Sequence, residues 1–173
     1  MRKPNIDAHL TVIVTDKNGK VVLRKRFKSR SFVVGFLNAL YNNFSFTSLN
    51  SLYCFQSPNI VVGSGTAKPT ISDTGLESQI SNGTGAGELQ YGTDSLTTPA
   101  ANTNTNTGSM TWSKSFTNGS GGNVTVSEVG AYFSIDSNGG FTSYFVLHDL
   151  LPSPITLSPN QVLTVVYTIT IST

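Results

Sequence analysis

The side chains that could carry chemistry in this chain are few: two histidines, His9 and His148, one cysteine, Cys54, and nine carboxylates. The histidines form no His-x-x-x-His pair and there is no Cys-x-x-Cys, the spacings that converge ligands on one metal, so no transition-metal site is predicted. Asp149, beside His148, is as readily a turn residue as a ligand. A lone cysteine excludes an intrachain disulfide framework, and within Leu52-Tyr-Cys-Phe it reads as a small core residue. A glycosidase needs two carboxylates held about 5 to 9.5 Å apart across a sugar. Glu77, Glu88 or Glu128 with an aspartate could reach that geometry only through the fold, and their spacing does not ask for it. Gly63-Ser-Gly and Gly83-Thr-Gly-Ala-Gly lack the strand-to-helix setting and the lysine of a phosphate loop and read as turns. Asp16-Lys-Asn-Gly starts like a calcium loop but has no closing glutamate, so it reads as a hairpin turn. Neither catalytic residue nor cofactor is assigned, and the expectation is a protein that is not an enzyme.

Charge is the next informative property. Charged residues make up 12% of the 173 residues, against about 25% in an ordinary domain, and Ser, Thr, Asn and Gly take their place. Such a surface of hydroxyls and amides suits a β protein that sits against other protein better than a cytosolic metabolic enzyme. The few charges are segregated: residues 1–30 carry nine of the eleven Lys and Arg against Asp7 and Asp16, a net of plus seven, and the remaining residues have a net of minus five. A basic end on an acidic body suggests as partner either the body of a neighbouring copy or nucleic acid. Arg24, Arg26, Lys28 and Arg30 fall on one face of a strand, where same-face residues recur about every 6.6 to 6.8 Å, near twice the phosphate rise of about 3.4 Å per strand. Three readings stay open for this row: a solvated edge guarded against aggregation, a protein contact, or a nucleic-acid contact.

Two elements position that row. His9 to Thr15 alternates, Asn18-Gly19 makes the tight turn, and Lys20 to Ser29 returns, so the chain opens with a hairpin. A helix is predicted from about Phe32 to Asn43 with Ser31 as N-cap; Phe32, Phe36, Leu40 and Phe44 form an apolar stripe for assembly or core packing. Residues 1–45 are therefore expected to be an attachment element, either appended to a β-sandwich spanning 46–173 or packed on it.

The rest is β text. Strands are predicted at Leu52 to Phe55, Asn59 to Val62, Met110 to Thr117, Val124 to Ile135, Phe141 to His148 and Val162 to Ile171. The last is the clearest, with Leu163, Val165, Tyr167, Ile169 and Ile171 on one face. Pro152, Pro154 and Pro159 stiffen the approach to it into an edge crossing or extended connection. Residues 63–108, rich in Gly, Thr, Ser and Asn, are expected to be a long loop with at most short strands. Asp136-Ser-Asn-Gly-Gly repeats the hairpin chemistry, and the Asn-x-Ser/Thr matches at Asn43, Asn82, Asn118 and Asn123 are as many as chance supplies in this composition. The fold class predicted is an antiparallel β-sandwich of jelly-roll type with an N-terminal hairpin and one short helix.

Val-Ser-Glu-Val-Gly-Ala-Tyr at 126–132, the stretch from Phe145, the Pro-rich approach from Leu151 and the final strand resemble the C-terminal half of β-sandwich structural proteins of tailed phages and archaeal viruses. Ile60-Val-Val-Gly-Ser-Gly-Thr-Ala-Lys-Pro-Thr and the stretch Asp73 to Ser78 carry the same look, so the resemblance spans about residues 55–171. It implies a virion part and leaves capsid shell, decoration, vertex and tail open. The partners implied are a homo-oligomer and other virion proteins, with nucleic acid a further candidate for the basic strand. The N-terminus has no apolar signal segment and no stretch reaches membrane-spanning length, so synthesis in the host cytoplasm and no membrane contact are expected. The alternative function is a carbohydrate- or receptor-binding module, with Trp112, Tyr91 or Tyr132 as its aromatic platform, although Trp112, beside Met110 in an alternating strand, reads more readily as core.

Overall fold

In the computed structural model, which describes residues 5–29, 32–38, 55–97, 99–137 and 140–172 (backbone only for 55–57, 135–137, 140 and 141), the final strand lies inside the larger of two antiparallel sheets. Ten strands follow in order: β1 (Asn5–Thr15), β2 (Val21–Ser29), β3 (Phe55–Gly63), β4 (Gln90–Tyr91), β5 (Ser95–Leu96), β6 (Ala100–Asn102), β7 (Thr107–Thr117), β8 (Val124–Ser137), β9 (Gly140–Leu157) and β10 (Val162–Ser172). A short helix, α1, covers 34–38. The chain is mainly β with two antiparallel sheets, the β-sandwich class read from the sequence.

The chain divides into two compact units. The first comprises Met1–Arg30, Ser81–Val124 and Thr156–Thr173, and its sheet has the order β2-β1-β10-β7-β4, with β5 and β6 also pairing β7. Alternation decides which side of each strand is buried. Leu163, Val165 and Tyr167 of β10 are solvent-free, as are Leu10 and Val12 opposite them on β1 and Trp112 and Phe116 on β7. Ile171, at the end of the same β10 row, runs past this core and is 55% exposed. The hairpin turn forms as expected: Asp16 accepts the Asn18 and Lys20 amides at 2.9 and 3.0 Å, and Gly19 supplies the positive φ of 78°. That carboxylate is thereby occupied by backbone. Of the two placements open for the hairpin, appended or joined to the body, the sheet takes the second: β1 pairs with β10 along its whole length. The reason is the apolar row Leu10, Val12, Val14, which can be buried only by joining the sheet.

The second unit comprises Ser31–Ile80 and Thr125–Ile155, with sheet order β3-β8-β9. Proline is tolerated here for positional reasons: Pro58 sits at a register shift in the edge strand β3, and β9, the other edge, stays extended through Pro152 and Pro154. Strand β9 therefore runs well beyond the predicted His148. The predicted helix is described only over α1; Phe32 instead bridges Leu147 of β9, and Val33 donates to the Val146 carbonyl at 3.2 Å. Gly35 makes this docking possible, since a Cβ there would collide with the Phe145 carbonyl. Ser31, Leu40, Phe44, Cys54 and the centre of the Asp136 turn lie outside the described residues.

Candidate functional site

The fold assembles one cluster of ionisable side chains that no sequence motif announced. Glu128 lies in β8, in phase with the apolar Val124 and Val126, and is wholly buried. A carboxylate in such a place must be fully hydrogen-bonded, and it is. One oxygen, Oε1, accepts the amides of Gly65 at 2.9 Å and Ser78 at 2.8 Å; the other accepts the Glu77 amide at 3.1 Å and faces His148 Nε2 at 3.0 Å. On the far side of the ring, His148 Nδ1 lies 2.6 Å from Asp73 Oδ2. A proton on either nitrogen serves one carboxylate, and a proton on both serves the two.

Glycines 63 and 65 let the loop come this close, since a Cβ at either would strike the Glu128 carboxylate. Gly130, two residues on in β8, is likewise filled against by Phe145 and Leu76. Glu77 caps the loop a second time, accepting the amides of Thr66 at 2.6 Å and Ala67 at 2.7 Å, and those two bonds hold its carboxyl below the usual range. Burial alone would raise the Asp73 carboxyl, but the side-chain and backbone hydrogen bonds of Thr70, with that of His148, outweigh it and lower it. The result is a loop over 64–80 stitched to β8 and β9.

Chemically this cluster is a clasp. The two carboxylates sit on opposite ring nitrogens, so they cannot converge on one ion, and no group of three or more His, Cys, Asp or Glu among the described residues is placed to hold a metal. The part-exposed side of Asp73 lines a small open cavity of about 140 Å³ beside Val34, Gly35, Thr74 and Tyr144. The signals that could have revealed the clasp were present: a glutamate at an apolar phase of Val-Ser-Glu-Val, and a Gly-x-Gly at the end of a strand.

A second buried charge lies in the first unit. Lys114 of β7 is 7% exposed and donates to Asp94 Oδ2 at 2.7 Å, while Trp112 Nε1 donates to Asp94 Oδ1 at 3.0 Å. Trp112 is thus core, 1% exposed, and cannot be a glycan platform. The physical reason is its place in the buried β7 row opposite Tyr167. Tyr91 and Tyr132 are half-buried, edge-on to Phe116 and tilted on Phe145 respectively, and present no open ring pair. Among the Asn-x-Ser/Thr matches, Asn118 is fully buried, donating to the Gly122 and Leu157 carbonyls.

The basic row is brought together as read. Arg24, Arg26 and Lys28 share the outer face of β2 and are exposed, opposite Ile13, Thr11 and His9 of β1. Lys28 pairs with Asp7, and Arg30 lies outside the described residues. Phe32 and Phe36 meet with ring centroids 4.6 Å apart, whereas Leu37 is exposed. Compared with known proteins, the chain matches no family model, no curated protein and no solved structure. No helix among the described residues is long and apolar enough to cross a membrane.

Proposed function

We propose that the chain is a non-enzymatic structural protein of a virion that acts by self-association and by docking on other virion proteins. The observation that carries the structural role is how its carboxylates are used. Glu128 and Glu77 hold loop amides, Asp94 neutralises a buried lysine, Glu88 accepts the Gly85 amide, and Asp16 closes a turn. Carboxylates tied in this way position backbone and are poor general bases, because taking up a proton would break the contacts they accept. The virion setting rests on the resemblance of the segments between residues 55 and 171. The carbohydrate-binding alternative loses its main residue with Trp112 inside the core.

The test is the mass of the purified full chain in solution over a concentration and salt series. A discrete oligomer, such as a trimer, pentamer or ring, is the expected result. A monomer at every concentration overturns self-association. Deleting residues 1–30 is unsuitable as a control, because it would strip β1 from β10 and expose the apolar row of the sheet.

A further inference from the structure

The β2 edge combines three properties. It is nine residues long and, among the described residues, pairs only with β1, so no described strand meets its outer row of backbone N–H and C=O groups. Its outer face carries Arg24 and Arg26, exposed and without an ion pair or hydrogen bond among the described residues, followed by the exposed Lys28, which pairs with Asp7. Along the same strand Val21 and Val22 are 53% and 51% exposed, and Leu23 and Phe27, with the half-buried Lys25 between them, form a rim to the core row of β1.

From these we infer that β2 is an acceptor edge for an extended, acidic strand of another protein, with carboxylates at alternate positions and apolar residues between them. The inference rests on the structural-protein reading and names the kind of partner. An added strand meets the backbone row with hydrogen bonds, sets its acidic side chains beside Arg24 and Arg26, and extends the core row past Leu23 and Phe27. A second copy of this edge is a poor occupant, because antiparallel β2 on β2 would put cations beside cations. The acidic body of a neighbour is also a poor one, since Asp73, Glu77, Glu88, Asp94 and Glu128 are each engaged internally. Nucleic acid would use the arginines but neither the backbone edge nor the apolar rim, and Asp7 stands on the outer face against Lys28.

The probe is a nine-residue peptide alternating glutamate and valine, titrated against the full chain by calorimetry. Controls are its lysine-for-glutamate counterpart, the same peptide N-methylated at alternate residues to block strand pairing, and a short DNA duplex. Binding of the Glu-Val peptide alone is expected, about tenfold weaker for the double variant Arg24→Gln, Arg26→Gln, and reduced from about 0.1 M to about 1 M salt as screening shortens to about 3 Å. Both arginines are exposed, and an unchanged circular dichroism spectrum confirms the fold. Equal binding of the N-methylated peptide, or binding of duplex only, overturns strand addition in favour of a simple polyanion contact. No binding of any probe, in a protein that still forms its discrete oligomer, overturns this inference and leaves the structural reading standing.

Discussion

Each unit buries charge, and they neutralise it by different means. In the first, Asp94 meets Lys114 and the Trp112 indole, side chain to side chain within 20 residues of sequence. In the second, Glu128 is answered by three backbone amides from a loop 50 to 63 residues away, and by His148. A side-chain pair can be exchanged for apolar residues of similar size at little cost. Amides cannot be substituted away, so the second arrangement makes one side chain indispensable to a whole loop.

The comparison is broken most sharply by Glu128→Ala. It leaves three loop amides and the histidine without their acceptor, with an expected loss of about 3 to 5 kcal/mol in denaturant unfolding. Hydrogen exchange should localise the damage, with the amides of Gly65, Glu77 and Ser78 losing protection first. Retained protection there would mean that the loop is held by something other than the clasp.

Asp94→Ala in the first unit is next, costing about 3 kcal/mol by removing the carboxylate that neutralises the buried lysine. The difference between the units appears in the rescue. Adding Lys114→Met should recover most of this loss and leave about 1 kcal/mol for the lost indole-to-carboxylate bond, whereas adding His148→Phe to Glu128→Ala should recover little. Equal rescue in both units would erase the distinction.

Gly65→Ala sharpens the same point by sterics, because its Cβ would enter the space of the Glu128 carboxylate and the Glu77 side chain. About 1 to 3 kcal/mol is expected by unfolding measurements, in the range of overpacking a tight site. Gly87→Ala in the first unit meets no atom within 4 Å and carries only the strain of its positive φ of 81°, about 1 kcal/mol.

What was legible in the sequence was local periodicity. The period-two pattern of β10, the Asn18-Gly19 turn and the basic row Arg24, Arg26 and Lys28 on one face of β2, with Lys25 between Leu23 and Phe27 on the other, all follow from residues within one strand, and each is present. The failures concern pairing across long separations. Nothing in residues 5–15 says that their partner is β10 as well as β2, so the sequence leaves the hairpin's placement open. Nothing in Glu128 names the loop amides it holds, and its burial inverts the usual expectation for glutamate. Trp112 was ambiguous for the same reason: its alternation fits either face until Tyr167 is set opposite it.

Acid should produce the smallest and most local contrast. Glu77 and Asp73 in the second unit titrate below their ordinary values of 4.5 and 3.8, and so does Asp7 in the first, held down chiefly by its hydrogen bond from Lys28. A carboxyl lowered in the folded state contributes stability that is complete above its unfolded value and disappears as pH falls through the folded one. Between pH 7 and about pH 5 no change from these groups is expected, and the loss begins below about pH 4 to 4.5. All three groups reach solvent, so the global effect is small and further reduced by salt. In the second unit the loss lands on defined amides, Thr66 and Ala67 through Glu77 and Thr70 through Asp73. Their exchange, corrected for the intrinsic pH dependence, should quicken as pH is lowered from 5 to 3. In the first unit Asp7 meets side chains only, Lys28 and Asn5, so the β1 and β2 amides should keep their protection over the same range. Equal loss in both units would show that acid opens the protein globally, and the loop would then owe nothing particular to its carboxylates.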